Sequence, residues 1–315
     1  MEIRRLVKSG AASHTISLPK QWLDKNTLKK GDLVYIVEKT DKELSIMAEN
    51  TGLEKASKEI SINVEGKGMD AIQREITSAY INNFNNIVII GLDSVDKAKD
   101  IRRILHDFVA LEISEQTSSK IVAQDLLNLK EISIDKTLRR MDMIVRSIMQ
   151  DSVSSIEGNN MFDSVFHRDF DVNKLYFLMY RLLKSALNDS NVASTFGLTN
   201  NDVLGNWFLA VNLENIADNS KKICEVLKKK IKVNTKELKT LYKDVEKAYL
   251  DVMKAYFNKD RKLANDVASR RTSIITKCTK LQEKNNTAEV ALISNNLIDL
   301  ENHISSICRL VIDAD

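Results

Sequence analysis

The chain has 315 residues, with 47 Lys and Arg against 44 Asp and Glu, a net charge of +3 and 43% hydrophobic residues. At roughly 150 residues per domain this length predicts two or three domains, and an ordinary apolar share excludes a disordered chain. The longest apolar stretch, near Ile87 to Leu92, is far short of the ~18 residues of a membrane span, and Met1-Glu2-Ile3-Arg4-Arg5 leads into no signal-peptide core, so a cytoplasmic protein without membrane insertion is expected.

Glycine and proline are concentrated early: Gly10, Pro19, Gly31, Gly52, Gly66, Gly68 and Gly91 all fall in the first third, which predicts turn-rich structure first and long helices afterwards. From 1 to 50, strands are expected at Ile3 to Lys8, His14 to Leu18, Leu33 to Glu38 and Glu43 to Met47, with Pro19 as the first residue of a short helix through Leu23. Both alternating faces of Leu33-Val34-Tyr35-Ile36-Val37 are apolar, so that strand needs cover on two sides, which so small a unit supplies only by intertwining with a second copy.

Residues 55–128 alternate as a small α/β domain: strand Glu59 to Val64, helix Asp70 to Asn83, strand Asn86 to Ile90, helix Val95 to Phe108, then strands Leu111 to Gln116 and Lys120 to Leu126. Neither glycine-rich phosphate motif accompanies Gly91. Beyond Leu129, breaks near Gly158, Gly197, Asn234, Asn258 and Asn285 leave six segments of helix length, grouped as two three-helix bundles over 130–232 and 233–315. Leu213, Ile216, Ala217, Ser220, Ile223, Cys224 and Leu227 form one helix face, and Leu297, Leu300, Ile304, Ile307 and Val311 form another. Leu213-Glu214-Asn215 recurs as Leu300-Glu301-Asn302, which suggests an internal duplication. Cys224, Cys278 and Cys308, widely spaced and odd in number, indicate neither disulfides nor a thiolate metal site and are expected in the core.

On a helical wheel, Glu214 and Asp218 fall together, about 100° to 140° from Leu213 and away from the apolar face. Paired carboxylates are hard oxygen ligands, and Arg168-Asp169-Phe170-Asp171-Val172-Asn173 offers partners, with Asp169 and Asn173 on one face and Asp171 nearby. Spacing alone does not single them out, because chance gives roughly six acidic i, i+4 pairs in such a chain, most of them solvated. The surrounding run Leu213-Glu214-Asn215-Ile216-Ala217-Asp218-Asn219-Ser220, however, resembles the Leu-Glu-x-Ile-x-Asp signature of the PhoU family, over about 130–315. That resemblance implies two three-helix bundles, a non-enzymatic regulator of phosphate uptake and signalling, dimerisation, and a transporter ATPase or sensor kinase as partner. It also implies a divalent or trivalent metal ion (iron, zinc or magnesium) held by Glu214, Asp218, Asp169 and Asn173. The second repeat departs: Ser305 stands where the second acid is expected, and Arg270 and Arg271 occupy the stretch parallel to Asp169, so one metal site is expected there rather than two, with the arginines suited to an anion or simply to solvent.

The front carries another resemblance. Arg4-Arg5-Leu6-Val7-Lys8-Ser9-Gly10, Ser13-His14-Thr15-Ile16-Ser17-Leu18-Pro19-Lys20-Gln21-Trp22 and Leu28-Lys29-Lys30-Gly31-Asp32 are similar to the AbrB/SpoVT-type swapped-hairpin DNA-binding domain, in which two chains interlace into one β-barrel. Residues 1–30 hold seven Lys and Arg against two acids, +5 per chain, while the remainder is about −2, so the basicity is local and suited to a polyanion. Arg4, Arg5, Lys8, His14 and Lys20 are the expected DNA contacts; the other reading is a barrel that only dimerises. No Glu precedes His14, His106, His167 or His303 by three residues, and no His-Glu-x-x-His or Gly-x-Ser-x-Gly occurs, so no enzyme is expected. The resulting expectation is a multidomain, mainly α homodimer: swapped-hairpin barrel, small α/β domain and a pair of PhoU-like bundles, either regulating transcription of phosphate-uptake genes or acting by protein contact alone.

Overall fold

The computed structural model describes residues 3–40, 43–48, 57–229 and 231–314. The chain divides into two compact units, Met1–Ser57 and Lys58–Asp315. The junction expected between 50 and 55 lies outside the described residues.

In the first unit, β1 (Val7–Lys8) pairs antiparallel with β2 (His14–Thr15), and β3 (Tyr35–Thr40) pairs with β4 (Glu43–Met47), with the short helix α1 (Lys20–Lys25) between the two ladders. Among the described residues these ladders do not close into a barrel. The first two strands are shorter than expected: the β1–β2 register holds only Val7↔Thr15 and Lys8↔His14. Pro19 is the residue before the helix rather than its first member, with extended ψ of 130°; its fixed φ suits either place.

The second unit begins with a four-stranded sheet ordered β5-β6-β8-β7: β5 (Glu59–Asn63), β6 (Asn86–Ile90), β7 (Leu111–Gln116) and β8 (Lys120–Asp125). β5 and β6 run parallel, joined by the crossover helix α2 (Met69–Ile81), while the hairpin of β7 and β8 returns after α3 (Val95–His106) and pairs antiparallel with β6. Alternation decides the faces: Ile62, Ile87, Ile89, Ile121 and Ala123 are buried with Ile72, Ile76, Ile101 and Leu105 of the two helices, whereas Ser61, Asn63, Glu112 and Gln124 remain exposed. Gly91 takes φ +80° directly after β6, where a β-carbon would press on Asn63 Oδ1 and lie 3.1 Å from the Glu65 amide. The glycine is therefore demanded by strand packing.

A short 3₁₀ turn (Leu129–Glu131) leads to α4 (Ile134–Ile156), α5 (Phe162–Asn188), the short α6 (Ser190–Phe196), α7 (Asn200–Leu227), α8 (Thr235–Asn258), α9 (Arg261–Asn285) and α10 (Ala288–Ile312). The ends carry local signals: Ser133, Asn234, Asp260 and Thr287 each accept a first-turn amide, and Thr199 with Asp202 forms a reciprocal capping box. The second of the six expected helical segments is split, because Asp189 caps a new helix at Ser190. Helices α4, α5 and α7 pack together, as do α8, α9 and α10, and α7 lies along α10. One continuous apolar core runs from Ile134 to Cys308, with Leu213, Ile216, Ile223, Leu297, Leu300 and Ile304 inside it. All three cysteines are free and buried.

The sheet layer is fastened to α5 within the same unit. Phe177 and Tyr180 pack on its core, and buried Arg181 forms a bidentate pair with Asp125, bonds Asn83 Oδ1 at 2.8 Å and lies over the Tyr80 ring. Among the described residues no helix is long and apolar enough to cross a membrane.

Candidate functional site

The helical pattern of α7 turns Leu213, Ile216, Ala217 and Ser220 inward, which leaves Glu214 and Asp218 on an adjoining face one turn apart. That face meets α5, so both acids are half-buried in the groove between the helices rather than free in solvent. From α5 comes Asp169, 3% exposed, with Asn173 one turn on, its amide 3.4 Å from Asp169 Oδ2. The four residues expected to act together are thus neighbours. Asp171 is not among them: two residues along α5 it turns away and lines a cavity of about 390 Å³ with His106, Glu112, Arg140 and Lys174.

Two lysines complete the cluster. The Lys221 ammonium lies 2.6 Å from Asp169 Oδ2 and 2.8 Å from Asp218 Oδ1, and Lys222 lies 2.6 Å from Asp218 Oδ2. They follow Asp218 by three and four residues, the spacing at which helix side chains meet, so the sequence holds a local signal for them that a search for carboxylates alone passes over. Burial pushes the Glu214 carboxyl up to about 7, reinforced by the charges of Asp218 and Asp169. For Asp218 burial acts upward, but the hydrogen bonds of Lys221 and Lys222 prevail and hold it below its ordinary value. Asp169 is raised by burial against the opposing pull of Lys221, and its Oδ1 is buried with no hydrogen-bond partner. Tyr176, on the next turn of α5, has its hydroxyl pushed up to about 12 by burial and by Glu214.

This donor set does not suit a metal as it is folded. One ammonium stands between Asp169 and Asp218, a second covers the remaining oxygen of Asp218, and among the described residues no three His, Cys, Asp or Glu side chains are grouped to hold an ion. The family resemblance implies iron, zinc or magnesium at this place; in the structure Lys221 and Lys222 stand against these carboxylates.

In the second repeat, Glu301 of α10 is 1% exposed, with Oε2 unpartnered, and burial pushes it up to about 7 against the pull of Arg271. Arg271 bonds Asn302 Oδ1 at 2.7 Å, while Arg270 pairs with Asp251 at 2.6 Å. The two guanidinium groups face α10 and α8 respectively, so they do not converge into one anion pocket, because adjacent helix residues diverge by about 100°.

In the first unit Arg4, Arg5, Lys8, His14 and Lys20 are all exposed, and the ladder register sets Lys8 directly beside His14. The connecting loop is tight: Ser9 donates its amide to Ser13 at 2.9 Å, the Ser13 hydroxyl bonds the Ser9 carbonyl, and Gly10 takes φ +110°. The loop thus holds the ends of the two basic strands together.

Residues 138–227, from the second turn of α4 to the end of α7, match the family model described as PhoU domain. The match includes Asp169, Asn173, Glu214, Asp218 and Lys221 and stops before α8. The crystal structure of PhoU from Pseudomonas aeruginosa resembles this chain at 16% identity, covering 57% of this chain and 93% of that one, with a TM-score of 0.43. No curated protein matches the chain significantly.

Proposed function

We propose that this chain is a homodimeric regulator that binds DNA through its first unit and relays phosphate status through its helices to control phosphate uptake. The PhoU-domain match over 138–227 supports the phosphate side of this reading. The DNA side rests on one observation about the first unit. Among the side chains described in it none is buried, with Leu6 70%, Leu33 75%, Ile36 61% and Leu44 66% exposed, and Arg4, Arg5, Lys8, His14 and Lys20 are exposed on and beside the β1–β2 hairpin and at the start of α1.

Apolar side chains left so open call for cover, and a second copy meeting the unit through these strands would bury them. Pairing would also double the +5 carried by residues 1–30, which favours a polyanion over a small ligand. The helical region would bias DNA affinity by altering the spacing of the paired basic hairpins. A partner ATPase or kinase would supply that signal by contact.

The test is titration of duplex DNA with the full chain at several salt concentrations, alongside light scattering for its mass. The parent is expected to be dimeric and its affinity to fall with salt; Arg4→Ala with Arg5→Ala should reduce the log–log slope by roughly 0.9 for each phosphate that is no longer neutralised. An unchanged affinity and slope in the double variant would overturn the DNA reading and leave regulation by protein contact.

A further inference from the structure

Charged groups in the α5–α7 groove are matched within the chain itself. Asp169 and Asp218 meet across the groove with Glu214 one turn before Asp218 on α7, and Lys221 and Lys222 bring two ammonium groups to Asp169 and Asp218. Lys221 is the central member: it bridges Asp169 on α5 to Asp218 on α7, at 2.6 and 2.8 Å, and is itself largely shielded, its side chain 20% exposed. We infer that the Lys221 ammonium is the resident counter-ion of this cluster, so that the native groove excludes divalent cations and becomes a metal site only when that ammonium is removed.

The donor arithmetic supports this. A divalent ion taken up by carboxylates needs several free oxygens around one point. Here both oxygens of Asp218 and one of Asp169 are engaged by lysine, and Asn173 directs its amide nitrogen, which is not a ligand, at the same Asp169 oxygen. An ammonium is a compact charge with three donors, and this one is tethered three residues from Asp218, so an incoming ion competes with an intramolecular partner. What the lysine leaves over is also informative: Asp169 Oδ1 is buried without a partner. With the Lys221 ammonium gone, that oxygen, its twin, the Glu214 carboxylate and the Asp218 oxygen that Lys222 does not cover would be left as hard ligands without their central cation. The second repeat shows a related arrangement, in which Arg271 of α9 reaches Asn302, next to the buried Glu301. In each repeat the chain supplies a cation beside the recurring Leu-Glu-Asn turn.

The experiment is a titration of the full chain with Mn²⁺, whose free ion is read by electron paramagnetic resonance. The parent and Lys221→Arg, which keeps a cation, are expected to show no saturable uptake. Lys221→Met is expected to bind one ion roughly tenfold or more tightly than the parent, and adding Glu214→Gln should abolish that gain. Lys221→Gln, polar and of similar length, carries the same expectation should the methionine variant fail to fold. Saturable uptake by the parent that disappears in Asp169→Asn would overturn the inference, because the ion would then displace the lysine. Neutral Lys221 variants binding no better than the parent would overturn it as well.

Discussion

Replacing Glu301 by glutamine is expected to make the protein more stable in alkaline solution and not in acid. The carboxyl is 1% exposed, Oε2 has no partner, and Arg271, the cation that acts on it, is hydrogen-bonded to Asn302. Burial therefore dominates and lifts its pKa from 4.5 to about 7. In the unfolded chain the group ionises near its ordinary value, so the folded state bears no penalty below that value, a growing one as pH rises through about 7, and a constant one above. A rise of this size corresponds to roughly 3 kcal/mol at full ionisation. Glutamine does not titrate, although its amide carries its own burial cost of about 1 kcal/mol at every pH. The informative quantity is thus the change between two pH values, with the variant gaining about 2–3 kcal/mol on the parent between about pH 4.5 and about pH 8.

The neighbouring thiols do not confuse the comparison, since burial pushes Cys278 up to about 12 and Cys308 up to about 11 and both stay neutral throughout. His303, lowered by burial, titrates in parent and variant alike. Urea denaturation followed by circular dichroism at the two pH values measures the difference. Parallel stability–pH curves for the two proteins would refute the reasoning and mean that the native carboxyl ionises as it does in water.

The Arg181–Asp125 pair gives a second test. Arg181→Met leaves Asp125, with a side chain only 7% exposed, without its cation and should cost about 3–5 kcal/mol in denaturant unfolding; Arg181→Met with Asp125→Leu should recover much of that, and equal losses in both would argue against a charge effect. Gly91→Ala is expected to cost about 1–3 kcal/mol, through the left-handed backbone and the crowding at Asn63 and Glu65; a thermal midpoint unchanged from the parent would show that the β6–α3 turn relaxes around a methyl group.

Much of the fold was legible because it is written locally. Glycine content separated the turn-rich front from the helical back, the 3.6-residue repeat located the buried faces of α7 and α10, and all five expected helix breaks coincide with a break in the chain of helices within a few residues. The break at Asp189 is not legible in the same way, because it depends on a single capping side chain inside an otherwise helical run. The sheet was legible as alternating strands and helices, but its order was not: the insertion of β8 between β6 and β7 is a long-range pairing with no local signature. The candidate site divides in the same way. Glu214 and Asp218 are neighbours by helix geometry alone, whereas Asp171, equally acidic and close in sequence to Asp169, faces the cavity beside Arg140.

By itself, the sequence determined which faces of the long helices are apolar, where most of them stop, and that basic charge gathers in the first thirty residues. These are properties of side chains within a turn or two of one another, and helical or strand periodicity is enough to place them. Only the tertiary structure decided what the charged side chains meet. Whether Lys221 extends into water or into an acidic groove depends on where α5 lies against α7, and that position is set by core packing far from the lysine. The same holds for Arg181 and Asp125, 56 residues apart, whose pairing exists because the sheet layer rests on α5 and leaves two charges nowhere else to go.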